Sequence, residues 1–165
     1  MISVIEYTGW KFYDDYTEIY GRNYLTHHVG SMLVPVSRIK GLTHENVLSE
    51  EKLSRLLKSI ETHGYVTTGS SHMDINLTLF PNGEFCVGNG GNHRPYLAKK
   101  LGITIIRAIV DVCIPLDLLT DEQILHFESL DPYDLPNNPE LKDVAYALEL
   151  MPSQQLAKQT IIHIR

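Results

Sequence analysis

The feature that most constrains this chain is a glycine turn that opens onto a helix. Gly88-Asn89-Gly90-Gly91-Asn92 puts three glycines within four residues and is followed by His93-Arg94-Pro95-Tyr96-Leu97-Ala98-Lys99-Lys100-Leu101-Gly102. Glycine admits the positive φ and the close backbone approach that a tight turn needs. Pro95 suits a first helical turn, where a missing N–H costs little. Leu97, Ala98 and Leu101 share one helical face, and Gly102 is a good stop. A helix opened by a glycine loop leaves N–H groups pointing at solvent, which makes it a natural anion site. His93 and Arg94 stand at its mouth, and the planar fork of arginine matches phosphate oxygens. Two readings follow. Either the N–H groups of Gly90, Gly91, Asn92 and His93 hold phosphates together with the Arg94 side chain, or the turn is a common connection with a solvated arginine.

The rest of the chain supplies a mixed α and β pattern. Residues 32–40 alternate enough for a strand, with Pro35 implying an edge. Gly41 to Asn46 reads as a loop. Ser49 is an N-cap with Glu50 and Glu51 in the first turn, and Leu53, Leu56, Leu57 and Ile60 mark one face of a helix that ends at Gly64. A polar connection over 67–71 leads to a half-buried strand of Ile75, Leu77 and Leu79. Pro81-Asn82-Gly83 is a hairpin signal, and Phe85-Cys86-Val87 returns the chain to the glycine turn. Thr104 to Ile114 is a β-branched strand. Thr120 and Gln123 form a capping-box pattern for a helix through about Leu130. Asp131 to Pro139 is a loop, Glu140 to Leu150 a helix, and 154–164 a last helix or strand.

The first 31 residues are rich in aromatics, among them Tyr7, Trp10, Phe12, Tyr13, Tyr16, Tyr20 and Tyr24, without a clean period. They read as a platform for a ring or as a flap packed on the core, and the flap is favoured because aromatics supply large buried area. Ile2, Val4 and Ile5 suggest a first strand. His27-His28 lacks the spacing or the further ligands of a metal site, so no metal is expected. Cys86 and Cys113 fall in expected strands and read as buried free thiols. The 165 residues suffice for one compact domain, and 43% hydrophobic with 21% charged residues is ordinary for a globular one. No run is long enough to span a membrane, and no basic-then-apolar leader opens the chain. A cytoplasmic protein is expected. The net charge of −6 argues against broad attraction to DNA.

Several of these segments together resemble the ParB/sulfiredoxin superfamily. Gly91-Asn92-His93-Arg94 with Ala98 and Leu101-Gly102 looks like its G-x-x-R-x-x-x-A-x-x-x-G box. Val34-Pro35-Val36-Ser37-Arg38-Ile39-Lys40 looks like the first strand of ParB-type domains. Leu53 to Gly64, with Ser59-Ile60 and then Gly64-Tyr65, looks like their L-x-x-S-I-x-x-x-G helix, and Thr104 to Val112 is similar to their closing strand. The resemblance implies an α+β fold, a small mixed sheet with packed helices. It divides the chain into an aromatic-rich extension (1–31), a ParB/sulfiredoxin-like core (32–115) and a C-terminal helical segment (116–165). It also implies nucleotide binding at the box through Gly90, Gly91, Asn92, His93 and Arg94. The ligand would be a nucleoside di- or triphosphate, ATP, ADP or CTP, with Mg²⁺.

Departures from the relatives narrow the chemistry. Asn92 stands where sulfiredoxins carry the cysteine that attacks an oxidised partner, and an amide cannot replace that nucleophile. His93 replaces the second arginine usual in ParB clamps. Neither a helix-turn-helix nor a dimerisation region is recognisable after residue 116, which argues against a DNA-reading clamp. Thr43-His44-Glu45 looks like the H-E loop of free-serine kinases with this fold, whose glutamate accepts the proton of the substrate hydroxyl. Phosphoryl transfer needs phosphates held by N–H groups, a cation and a positioned base. On this resemblance Glu45 and His93 are the catalytic candidates, and a small hydroxyl-bearing molecule is the second substrate. The alternative is a noncatalytic nucleotide-binding or protein-interaction module. A nuclease lacks a visible metal cluster, since Asp74 and Asp111 read as isolated carboxylates.

Overall fold

The computed structural model describes residues 5–64 and 75–152. Ile2 and Val4, Tyr65, the connection over 67–71, Asp74 and the element expected over 154–164 lie outside the described residues. Ile5 lies in no strand.

The chain enters through a two-residue strand, β1 (Lys11–Phe12), and a helix, α1 (Tyr13–Tyr20). Aromatics obscure the helical period of α1. Its start is set by Asp15, whose carboxylate accepts the Phe12 N–H at 2.8 Å. Gly21, at φ 86°, ends it. β2 (Tyr24–Pro35) then runs antiparallel to β6 (Ile105–Pro115), in register from Tyr24↔Pro115 to Pro35↔Ile105 with a bulge between His28 and Gly30. The boundary expected between residues 31 and 32 therefore falls inside β2. The strand expected over 32–40 is also split, into two strands with a turn between them. Pro35 has no N–H for the ladder, and Val36–Arg38 form a 3₁₀ turn before β3 (Ile39–Leu42). Gly41 and Leu42, expected in a loop, belong to this strand.

The next elements follow their local signals. In α2 (Glu50–His63) the Ser49 hydroxyl accepts the Lys52 N–H at 3.4 Å, and Gly64 at φ 75° closes the helix. β4 (Ile75–Leu79) and β5 (Phe85–Val87) pair as the expected hairpin, with Gly83 at φ 83°. α3 (His93–Lys100) leads into β6. Thr120 and Gln123 cap α4 (Asp121–Glu128) reciprocally, at 3.1 and 2.9 Å. Asn138 Oδ1 accepts the Glu140 and Leu141 N–H groups at 2.8 and 3.1 Å and opens α5 (Pro139–Ala147). That helix stops short of Leu150, as Glu149 turns to φ 59°.

The architecture is α+β: a six-stranded mixed sheet in the order β1-β3-β5-β4-β6-β2 with five α-helices among the described residues. Alternation along the strands gives it two unlike faces. Val34, Leu77, Leu79, Phe85, Val87, Ile106, Val110 and Val112 point to the main core, where Leu53, Tyr96, Leu97, Phe127 and Leu141 from α2 to α5 meet them. On the other face Tyr16 of α1 stacks on Phe80 (4.5 Å between centroids, 13° between planes), above Cys86 and Cys113. Tyr16 is thus a packed side chain rather than a free platform. Both cysteines are free and buried, and burial pushes each thiol up to about 12. No helix among the described residues is long and apolar enough to cross a membrane.

Candidate functional site

The glycine turn leaves the sheet between β5 and α3. The Gly88 N–H donates to the Asn76 carbonyl at 3.0 Å and pins the turn to β4. Gly90 and Gly91 follow at φ 62° and 77°. A Cβ on Gly91 would lie 2.7 Å from Ile75 Cγ2, so position 91 needs glycine for space as well as for conformation; Gly90 faces open space. Asn89, Gly90 and Gly91 are exposed. The described part of the N-terminal segment packs on Tyr96 of α3. The Glu6 N–H donates to the Tyr96 hydroxyl at 3.0 Å, and Trp10 stacks against Tyr96 at 6.1 Å.

Asn92 occupies the N-cap of α3 and makes no capping bond. It is buried, 4% exposed, and its Oδ1 accepts both the N–H and the hydroxyl of Thr43, each at 2.7 Å. This bond ties the Thr43-His44-Glu45 turn to the glycine turn. The first turn of α3 is left without a side-chain cap. The N–H groups of Gly90, Gly91 and His93 meet no acceptor among the described residues. An anion is the natural partner for such a set. Arg94 lies at the second position of α3, half-buried.

His93 does something that its position at the mouth did not suggest. Its Nε2 accepts the Ser49 N–H at 2.9 Å. The proton of the neutral ring therefore sits on Nδ1. Burial, with Lys52 nearby, holds its pKa below the usual histidine range. His93 thus joins the start of α3 to the start of α2 through the nitrogen that a proton-transfer role at Nε2 would need. Glu45 lies exposed in the turn, where the His44 ring bonds its carbonyl through Nδ1 at 2.9 Å. Asn46 beside it takes φ 61°. Tyr7 supports the same region, its hydroxyl accepting the Leu48 N–H at 3.0 Å.

The neighbouring histidines diverge, as alternation in a strand requires. His27 is buried, and its Nδ1 meets no partner among the described residues. His28 is exposed, and its Nδ1 pairs with Asp111 Oδ1. Asp111, which reads as isolated in sequence, is therefore one half of a cross-strand pair set by the β2–β6 register. Among the described residues no three His, Cys, Asp or Glu side chains converge as metal ligands.

The pairings of Asn92 with Thr43 and of His93 with Ser49 are the parts of the site that sequence reasoning missed. No local spacing announces them, because each joins residues more than forty positions apart. The only advance signal was the recurrence of the 43–45 and 90–94 segments in one family pattern.

No protein-family model matches the chain, and no curated protein matches it in sequence. Among solved structures the chain is similar to the C-terminally truncated chromosome-partitioning protein ParB from Caulobacter crescentus complexed with CTP-gamma-S. The two share 21% identity, the match covers 80% of this chain and 71% of that chain, and the TM-score is 0.39. A likeness at that level says nothing about what this chain binds.

Proposed function

We propose that this chain is a nucleotide-binding protein of ParB/sulfiredoxin type, which holds phosphates at the mouth of α3. The carrying observation is the uncapped start of that helix. Asn92 turns its side chain to Thr43, and the N–H groups of Gly90, Gly91 and His93 are left to a ligand. These donors, with Asn92 N–H and the Arg94 guanidinium, suit the oxygens of a nucleoside di- or triphosphate such as ATP, ADP or CTP. Mg²⁺ would enter on the phosphates, as this ion usually does; among the described residues no group of three acidic, His or Cys side chains is gathered to cage it.

The finer reading is phosphoryl transfer or nucleotide hydrolysis. A bound nucleoside triphosphate supplies the phosphoryl group. Glu45, held near the glycine turn through Thr43, is proposed to take the proton of an attacking hydroxyl. His93 then serves by fixing α3 against α2. A second reading, a binding module without turnover, is favoured by the occupied Nε2 of His93.

Thermal-shift and calorimetric titrations with ATP, ADP and CTP plus Mg²⁺ test the first claim, since a ligand that binds the native state alone raises its stability. Arg94→Ala is expected to weaken binding by about 1.5–3 kcal/mol, the scale of hydrogen bonds to charged groups. Glu45→Gln is expected to spare affinity and to slow phosphate or nucleotide release by roughly 10²–10⁴-fold, the usual worth of a general base. Failure of all three nucleotides to bind ends the proposal. Binding without turnover, even with free serine supplied, selects the module.

A further inference from the structure

α1 covers one face of the sheet, and its Tyr13 borders a cleft there. Beyond Tyr13 and Tyr24 the strands β4, β6 and β2 leave a cleft of about 310 Å³, at the lower end of the range for small-molecule sites. Its lining is mostly polar, with Thr26, Thr78, Asn89 and Asp111 beside the rings of Tyr13 and Tyr24, and Leu77 is its apolar member. Thr78 is 9% exposed, and its hydroxyl makes no hydrogen bond among the described residues. Gly88 passes so close that a Cβ there would lie 3.0 Å from that hydroxyl. Glycine at position 88 thus leaves room for the Thr78 hydroxyl beside the turn.

The groups around the cleft are already oriented. The Tyr13 and Tyr24 hydroxyls bond each other across its wall. Burial, then the bond to Tyr24, pushes the Tyr13 phenol well above the usual tyrosine range, so it stays protonated. His28 holds one oxygen of Asp111, and the other makes no hydrogen bond among the described residues. Among the described residues Asp111 is the only charged side chain in the lining, and no Lys or Arg lines the cleft. Phosphate or carboxylate would therefore be repelled. Hydroxyl groups, which donate and accept at once, match hydroxyls, an amide and one carboxylate, and the two aromatic rings suit the apolar face of a sugar-like ring.

We infer that this cleft is a binding site for an uncharged polyhydroxylated small molecule, a sugar or cyclitol, held by Thr26, Thr78, Asn89 and the His28-braced Asp111. The site is distinct from the mouth of α3 and does not rest on phosphate capture there. Asn89 lines the cleft while Gly90 opens the mouth, so one turn borders both.

Amide-resolved NMR titration of the whole chain tests this with D-ribose, D-glucose and myo-inositol as probes, and with inorganic phosphate separately. At least one of the three is expected to give saturable shifts at Thr26, Thr78, Asn89 and Asp111, with a dissociation constant of about 1–10 mM, as a site with few contacts allows. Thr78→Val keeps the shape and removes the hydroxyl. Asn89→Ala alters an exposed turn residue and guards against misfolding of the first variant. Each is expected to weaken binding about five- to tenfold, the loss of one hydrogen bond. Phosphate is expected to leave these amides unmoved. Absence of saturable shifts with all three probes, shifts centred elsewhere, phosphate binding in the cleft, or unchanged affinity in both variants would overturn the inference.

Discussion

Replacing Asn92 by alanine should loosen the turn that carries Glu45 without touching the glycines themselves. The side chain is buried, and its one oxygen accepts two hydrogen bonds from Thr43. Losing each neutral bond costs about 0.5–1.5 kcal/mol, with more where a donor is left unsatisfied, so a total of about 2–4 kcal/mol is expected for Asn92→Ala. For a domain of this size that corresponds to a fall in melting temperature of roughly 4–16 °C. Thr43→Ala removes only the hydroxyl and should cost about 1 kcal/mol. Because both changes break one shared contact, they should not add; a coupling of about 0.5–1.5 kcal/mol is expected in a double-mutant cycle. Asn92→Asp retains an acceptor and should keep most of the stability. Urea unfolding of wild type, the three single variants and the double variant measures all of this. If Asn92→Ala loses less than about 0.5 kcal/mol, or the two changes are simply additive, Asn92 is not the link between the two turns.

The remaining predictions are briefer. Burial lowers the folded-state pKa of both His27 and His93, so below the ordinary value of about 6.5 the unfolded chain binds protons that the fold refuses. Stability should therefore fall as pH drops from about 6.5 and level off beneath the lowered folded values; His27→Leu should flatten the slope of unfolding midpoint against pH. Gly91→Ala, at φ 77° and 2.7 Å from Ile75 Cγ2, should cost clearly more in chemical unfolding than Gly90→Ala, which has space and pays only about 1–2 kcal/mol for its φ of 62°. Cys86 and Cys113, buried with thiols pushed up to about 12, should react with a thiol reagent only as fast as the protein unfolds.

Where a segment's fate is decided by its near neighbours, the sequence was legible. The cap at Ser49, the hairpin residues Pro81-Asn82-Gly83 and the Thr120–Gln123 box mark the elements they begin or join. The glycine turn and α3 were visible for the same reason. β2 was not, since its outward face carries His28 and Ser31 and its bulge interrupts the alternation. α1 hid among aromatics that pack on Phe80 rather than on one another. In the site, residue types at a helix mouth suggested chemistry for His93, while the long-range contact that engages its Nε2 depends on how α2 docks on α3. Such docking is written in the whole hydrophobic pattern and in no local motif.

The strand order has a consequence for how the chain is made. β1 and β2, which come first in the chain, form the two opposite edges of the sheet, while its interior is built from β3 to β6. The long partner of β2 is β6, from Ile105 to Pro115. On the ribosome β2 must wait for about 80 further residues, roughly 4–16 s at ordinary synthesis rates. During that interval a twelve-residue strand carries unpaired N–H and C=O groups. His27, His28, Gly30 and Ser31 interrupt what would otherwise be a continuous apolar template for another chain. Production of this protein should therefore depend on translation speed and on chaperone supply more than its size alone would suggest.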